Sequence, residues 1–319
     1  MTTIGKYRHF TQTSTSAGHF TILAIDHRSN LHKMLSQVAG ENLTNEQFID
    51  YKNLLMEHVL PPASGLLCDP ASSIGNGIAQ RLIGGHQGII APIEVTDYEI
   101  HPSQRDMNWI PGWSVAKLKR MGGAGVKMLL PYHPKSDTAE HKREIVADVI
   151  QQCTEHDIPY YLEPIAHSLN PDEKLSNAEL LDVVLEMATL FSEMGVDCIK
   201  MQFPVDANQS DDEAEWQTAC EQLNSACKIP WALLSAGVTY DVFERQARVA
   251  CQAGASGVIV GRAVWAEAIN LQKDARVEFL KTTAKQRMTT LAQICEEHAT
   301  PWYERVEQPS SSWTWYEVY

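Results

Sequence analysis

The sequence predicts an α/β fold of the (β/α)8 TIM-barrel class, on three observations. Eight short apolar runs of strand length are spaced along the chain. Longer segments lie between them, with apolar residues recurring every three to four positions, as in helices that bury one face. The two kinds alternate in strict order, which calls for a parallel sheet with helical crossovers, and eight units is the number that closes a barrel. The 319 residues accommodate such a barrel with extensions. An open doubly wound sheet is the competing arrangement of the same elements.

The strands, in order, are FTILAID (20–26), GLLCDP (65–70), GIIAPIE (88–94), GVKMLLPY (125–132), PYYLEPIAH (159–167), CIKMQFP (198–204), WALLSAG (231–237) and GVIVGRA (257–263). The clearest helix is 176–195, where Leu180, Leu181, Val184, Leu185, Met187, Ala188, Phe191 and Met194 fall on one stripe. Ser176 and Glu179 stand at capping-box spacing before it, and Gly195 follows its last turn. Further helices fit 45–60, 113–122, 139–156, 211–227, 240–254 and 275–298. The segment 72–84 is a poorer helix because it holds glycines. No repeat, low-complexity tract or Pro/Ser-rich linker divides the chain. Residues 1–319 therefore read as one domain, with a short N-terminal extension and an aromatic tail, SSSWTWYEVY (310–319).

A net charge of −14 argues against nucleic acid and anionic membrane as partners. It leaves room for a small anionic substrate held by a few local cations. No window of 18 consecutive apolar residues is long enough to span a bilayer. The first 20 residues lack the apolar core of a secretory signal. Seven cysteines, an odd number without a C-x-x-C pair, suit a reducing cytoplasm and read as small core hydrophobes. The composition is compatible with a homo-oligomer and does not fix a subunit count.

In such a barrel the chemistry sits at the C-terminal strand ends. There the first strand presents Asp26, His27 and Arg28; the fourth carries Lys127, the fifth Glu163 and the sixth Lys200. The seventh runs into Ser235-Ala236-Gly237 and the eighth into Gly261-Arg262. Singly, a strand-end Asp is a turn former and a strand-end Lys stretches to solvent. Two lysines, a Glu and an Asp in one mouth are instead the mark of a functional site.

Alternation puts Cys198, Lys200 and Gln202 on the inward face of the sixth strand, with Ile199, Met201 and Phe203 under the helices. Burial and a neighbouring Lys127 ammonium would both favour a neutral Lys200 amine. Such an amine attacks a ketone and forms a Schiff base, whose iminium withdraws electrons during C–C cleavage. Glu163, one strand away, is the candidate base for the hydroxyl at the breaking bond, with Lys127 holding that hydroxyl. Ser235, Gly237, Gly261 and Arg262 offer a hydroxyl, open backbone N–H groups and a guanidinium fork, the parts of a phosphate site. No metal or organic cofactor is required by this scheme.

With these residues in place, the chain resembles the class I tagatose-1,6-bisphosphate aldolases and the related sulfofructosephosphate aldolases. The shared pieces include LAIDHRSNLHKML, GVKMLL, IPYYLEP, IKMQFPV, PWALLSAGV, AGASGVIVGRAVWAEA and ATPWYERV, in order over nearly the whole chain. The resemblance implies Lys200 as the Schiff-base lysine, with Lys127 and Glu163 as its companions. It implies that Asp26 and Arg28 meet the sugar and its distal anion, and that Ser235, Gly237, Gly261 and Arg262 hold phosphate. The implied reaction cleaves a ketose phosphate, of tagatose 1,6-bisphosphate type, to dihydroxyacetone phosphate and a three-carbon aldehyde. The family commonly has Gln where this chain has His27, and Glu where it has Gln202. The third strand end, APIEVTDYE (91–99), matches neither branch well.

Three other readings remain at this stage. His27, His133 and His167 all follow strands, and three imidazoles can bind a catalytic zinc, although no H-x-H or H-E-x-x-H pattern is present. A non-catalytic metabolite-binding barrel is a second alternative. Transaldol transfer through the same Schiff base is a third.

Overall fold

The computed structural model describes residues 2–95, 100–317 and 319. Eight parallel strands close into a barrel, each paired with its sequence neighbours and the last with the first. They are β1 (Phe20–Ala24), β2 (Gly65–Leu67), β3 (Gly88–Pro92), β4 (Gly125–Tyr132), β5 (Tyr160–Ala166), β6 (Cys198–Met201), β7 (Trp231–Leu233) and β8 (Gly257–Val260). This is the TIM-barrel arrangement, and the open sheet is thereby set aside.

Most strands stop short of the predicted ends, because their last residues leave the ladder to form the mouth of the barrel. A two-residue hairpin after β3 pairs Glu94–Val95 with Asn108–Trp109.

Two chain segments that the periodicity did not mark are helical: α1 (Ile4–Thr13), ahead of the barrel, and α2 (Ser29–Ala39), directly after β1. Next come α3 (Asn45–His58), the short α4 (Gly75–Ala79) and α5 (Val115–Arg120), then α6 (Ala139–Glu155), α7 (Asn177–Met194), α8 (Glu213–Ala226) and α9 (Tyr240–Gln252). The end of the helical layer is α10 (Arg262–Trp265), α11 (Lys273–Phe279) and α12 (Lys285–His298). The weak 72–84 pattern divides into a π-turn, Pro70–Ile74, and α4. The predicted 275–298 helix is likewise interrupted by a π-turn at Leu280–Ala284. At the head of α7 the capping box forms as expected, and Gly195 ends the helix at a φ of 97°.

Alternation along the strands splits the core in two. Leu23, Met128, Leu162, Ile199 and Met201 belong to the layer beneath the helices. Ile22, Leu67, Ile90, Tyr161, Cys198 and Ile259 fill the barrel interior. All seven cysteines are buried free thiols.

Helix α1 seals the N-terminal end of the barrel. Phe10 sits 5.7 Å from Tyr161 and stacks on Trp302 at 5.0 Å, so that aromatic rings close the bottom. Thr13 Oγ1 shares a 2.8 Å hydrogen bond with the Tyr161 hydroxyl, and Lys6 pairs with Asp197 at 2.8 Å below β6. Gly88 has no side chain because this helix crosses it: a Cβ there would lie 2.6 Å from the Gln12 carbonyl. The aromatic tail returns to the same end, where the Tyr319 hydroxyl donates to Asp157. Trp313 of that tail stays 92 % exposed.

With the bottom closed, the opposite rim is the open end. No helix among the described residues is long and apolar enough to cross a membrane.

Candidate active site

At the C-terminal rim a cavity of about 280 Å³ opens, and all nine residues singled out from the sequence line it. They arrive there through strand geometry. On β4, Val126, Met128 and Leu130 pack outward, which turns Lys127 inward. On β5 the outward set is Tyr160 and Leu162, which leaves Tyr161 and Glu163 facing in. The β5–β6 register, Leu162 opposite Ile199, then sets Glu163 beside Lys200.

Glu163 bridges the two lysines. Its Oε1 lies 3.0 Å from Lys200 Nζ and its Oε2 2.9 Å from Lys127 Nζ. Both contacts are ion pairs. Lys127 donates hydrogen bonds to Asp26 Oδ2 and to Glu94 Oε1, both at 3.1 Å. Every side chain in this chain of charges is nearly buried, with Lys127 4 % and Glu94 1 % exposed.

The sequence reading placed Lys127 beside Lys200 as a second ammonium and as the holder of a substrate hydroxyl. A carboxylate stands between the ammonium groups, and three carboxylates crowd the Lys127 amine.

Burial alone would raise Glu163, but the Lys127 and Lys200 ammonium groups outweigh it and hold the carboxyl below its ordinary value. Asp26 follows the same logic, with burial opposed and overcome by Lys127 and then Lys200, so it stays ionised. His27 goes the other way. Burial lowers it to about 3, against a smaller upward pull from Asp26, so its imidazole is neutral at any ordinary pH.

Behind Asp26, the buried Lys52 amine donates to the Ile25 carbonyl and, at 2.8 Å, to Asp69 Oδ2. Asp69 in turn accepts from the Ala71 and Ser72 amides. This buried pair fixes the β1 end from which Asp26 projects.

The other side of the cavity is built for an anion. After β7 the chain turns through Ser235, Ala236 and Gly237, the last two in the left-handed region at φ 45° and 84°. For Ala236 that conformation costs on the order of 1 kcal/mol, a strain typical of functional turns. Helix α9 follows, and its cap Thr239 supplies no side-chain acceptor to the first-turn N–H groups. The Arg262 guanidinium reaches this turn, with Nη2 3.6 Å from where a Gly237 Cβ would stand. Arg28 caps α2 and lines the same cavity. Among the described residues neither guanidinium has an ion-pair partner.

The three histidines of the zinc reading do not converge. His27 packs edge-on against Trp265 at 5.2 Å, while His133 and His167 lie 6.0 Å apart at the ends of β4 and β5. No group of three or more His, Cys, Asp or Glu residues among the described residues is arranged to hold a metal ion.

Sequence reasoning missed Glu94. It follows β3 at the inward parity of Ile90 and Pro92, so the alternation that placed Lys200 would have placed it too. The poor family match of 91–99 concealed it. The last four residues of that segment lie outside the described residues.

A family model described as DeoC/LacD family aldolase matches residues 20–267. The chain belongs to that family. DeoC/LacD aldolases are carbon–carbon lyases, and the match covers every strand of the barrel together with the nine residues of the mouth. The chain is 30 % identical over 328 residues to the tagatose 1,6-diphosphate aldolase of Listeria monocytogenes serotype 4a (strain HCC23), covering 95 % of each. It is 29 % identical to tagatose 1,6-diphosphate aldolase 2 of Streptococcus agalactiae serotype III (strain NEM316), over 94 % of this chain and 98 % of that one. Among solved structures, an archaeal fructose 1,6-bisphosphate aldolase superposes with a TM-score of 0.60 at 17 % identity, over 92 % of this chain and 99 % of the other. At that identity the likeness is one of fold.

Proposed function

We propose that this DeoC/LacD aldolase cleaves a ketose phosphate by a class I mechanism, with Lys200 as the Schiff-base nucleophile. The observation that carries the proposal is the 3.0 Å contact between Lys200 Nζ and Glu163 Oε1, inside a cavity whose other wall holds the Arg262–Gly237 turn. The contact gives the lysine an immediate acceptor for the proton it must lose before it attacks.

Lys200 Nζ adds to the substrate C2 carbonyl, and loss of water leaves an iminium. A carboxylate removes the C4 hydroxyl proton, the C3–C4 bond breaks, and its electron pair moves into the iminium to give an enamine. The aldehyde half leaves. Protonation at C3 and hydrolysis release the second product and restore Lys200. Glu163 takes the proton of Lys200 and serves as base, while Asp26 shares the cavity as a second ionised carboxylate.

The C1 phosphate docks against Ser235, Gly237, Gly261 and Arg262, with Arg28 meeting an anion at the far end of the sugar. A bisphosphate of tagatose type uses both positions and yields dihydroxyacetone phosphate and a three-carbon aldehyde phosphate. The names of the full-length relatives support this substrate class.

The test is borohydride reduction with dihydroxyacetone phosphate, followed by peptide mass mapping. Label on Lys200, lost together with turnover in Lys200→Met, is the expected result. Turnover without a trappable lysine would overturn the mechanism.

A further inference from the structure

The cavity holds two amines of the same chemical kind. Lys127 and Lys200 both line it, and both contact Glu163. Something other than the lysines themselves must decide which one attacks the carbonyl. We infer that Glu94 is the positioning residue that makes this choice, by keeping Lys127 charged and so leaving Lys200 as the nucleophile. The inference rests on the Schiff-base reading and deepens it.

Glu94 is set in place by backbone bonds on both sides. The Ile93 amide donates to the Lys127 carbonyl at 3.3 Å, and the Ile110 amide to the Ile93 carbonyl at 2.9 Å. Glu94 itself pairs with Trp109 in the short hairpin. These bonds press the residue onto β4 beside Lys127.

Its side chain is buried, with Oε1 on Lys127 Nζ and Oε2 without a hydrogen-bond partner among the described residues. A buried carboxylate with one orphaned oxygen is expensive, and an apolar residue would fill the same space without that cost. Lys127 is the cation that balances it. The arrangement is explained by a demand for negative charge at this amine.

Proton bookkeeping separates the two lysines. With both charged, the site holds three carboxylates and two ammonium groups among the described residues. If Lys200 passes its proton to Glu163, both become neutral, and Asp26 and Glu94 remain in direct contact with the Lys127 ammonium. The net charge of the site is unchanged. If Lys127 gives up its proton instead, Asp26 and Glu94 are left buried around a neutral amine. The first transfer leaves both remaining carboxylates in contact with an ammonium, and the second strands them beside a neutral amine. The other titratable neighbours do not compensate: His27 is neutral because burial lowers it, and burial pushes the Tyr160 phenol well up, so it too stays neutral.

Trapping by borohydride with dihydroxyacetone phosphate, mapped by peptide mass in wild type, Glu94→Gln and Glu94→Asp, tests this. Wild type should carry label on Lys200 alone. In Glu94→Gln the label should divide between Lys200 and Lys127, and kcat should fall about tenfold or more as part of the enzyme is diverted into an unproductive imine. Glu94→Asp, which keeps the charge, should return label to Lys200. Label confined to Lys200 in Glu94→Gln, with a wild-type pH dependence of trapping, would overturn the inference and leave the Schiff-base reading standing.

Should the Gln variant not fold, competitive acylation of the wild-type lysines across pH decides the matter. Lys200 should become reactive at lower pH than Lys127, and the reverse order overturns the inference. Failure to trap any lysine in wild type would instead remove the Schiff-base reading on which it rests.

Discussion

Glu163 Oε1 stands 3.0 Å from Lys200 Nζ, so the amine and the nearest carboxylate form one proton-exchanging unit. A base so close to the nucleophile takes part in imine formation as well as in bond cleavage. Glu163→Gln should therefore slow both, with kcat falling about 10²–10⁴-fold, the usual weight of a general base. Single-turnover trapping and steady-state assays read the two steps separately. Asp26→Asn is the informative comparison. Should it trap normally yet fail to turn over, while Glu163→Gln keeps its turnover, the hydroxyl proton goes to Asp26.

Two guanidinium groups line the cavity, and they should divide the work. Arg262→Ala should raise KM for a ketose 1-phosphate, with a loss of about 2–5 kcal/mol, as expected when a desolvated charge pair loses one partner. Arg28→Ala should weaken only substrates that carry a second, distal anion. Steady-state constants for a ketose 1-phosphate and its bisphosphate, measured in both variants, check this. Equal effects on the two substrates would abolish the distinction between proximal and distal sites.

Acid stability should report the buried imidazoles. Burial lowers His27 to about 3 and His167 to about 4, from an ordinary value of 6.5. Below pH 6.5 the unfolded chain binds these protons and the folded one does not. Stability must then fall as pH drops from 6.5 towards those values, by up to about 1.4 kcal/mol per pH unit for each imidazole. The carboxylates Asp26 and Glu163 have folded values below their unfolded ones, so their contribution is lost only at still lower pH, beneath about 4. Denaturant unfolding between pH 6.5 and 4.5 should accordingly show a shallower slope in His27→Gln than in wild type.

An iminium supplies the electron withdrawal that a Lewis-acidic metal provides in other aldol chemistry. Activity should survive long incubation with a strong chelator. An assay that loses activity on chelation and regains it with zinc would return attention to His133 and His167.

How far the site was legible in the sequence follows from which residues break a pattern. Lys127, Glu163 and Lys200 are charged residues inside apolar strands, so alternation alone turned them inward and together. Arg262 and the Ser235–Gly237 turn were visible because glycine and arginine at neighbouring strand ends suit an oxyanion.

Helix α1 was not visible, since only a few of its residues are apolar and its purpose is to cap a barrel rather than lie along one. Helix α2 begins directly after the strand-1 motif, and the periodicity did not mark it. The placement of Glu163 between the lysines is a matter of side-chain reach. Residue order carries no such information.

The aromatic seal at the bottom of the barrel has a consequence for synthesis. Phe10 enters early, yet its stacking partner Trp302 is made some 290 residues later. As the chain emerges from the ribosome, β1 to β7 can assemble while this end is still open, with Phe10 and Tyr7 lacking the indole that later packs on them. The last step is a docking of the segment around Trp302, whose indole donates to Ser14 Oγ at 3.0 Å and whose amide bonds the Gly18 carbonyl. A nascent chain stalled short of residue 302 would present a ring of uncovered aromatics, the kind of surface that chaperones and proteases use to recognise an unfinished protein.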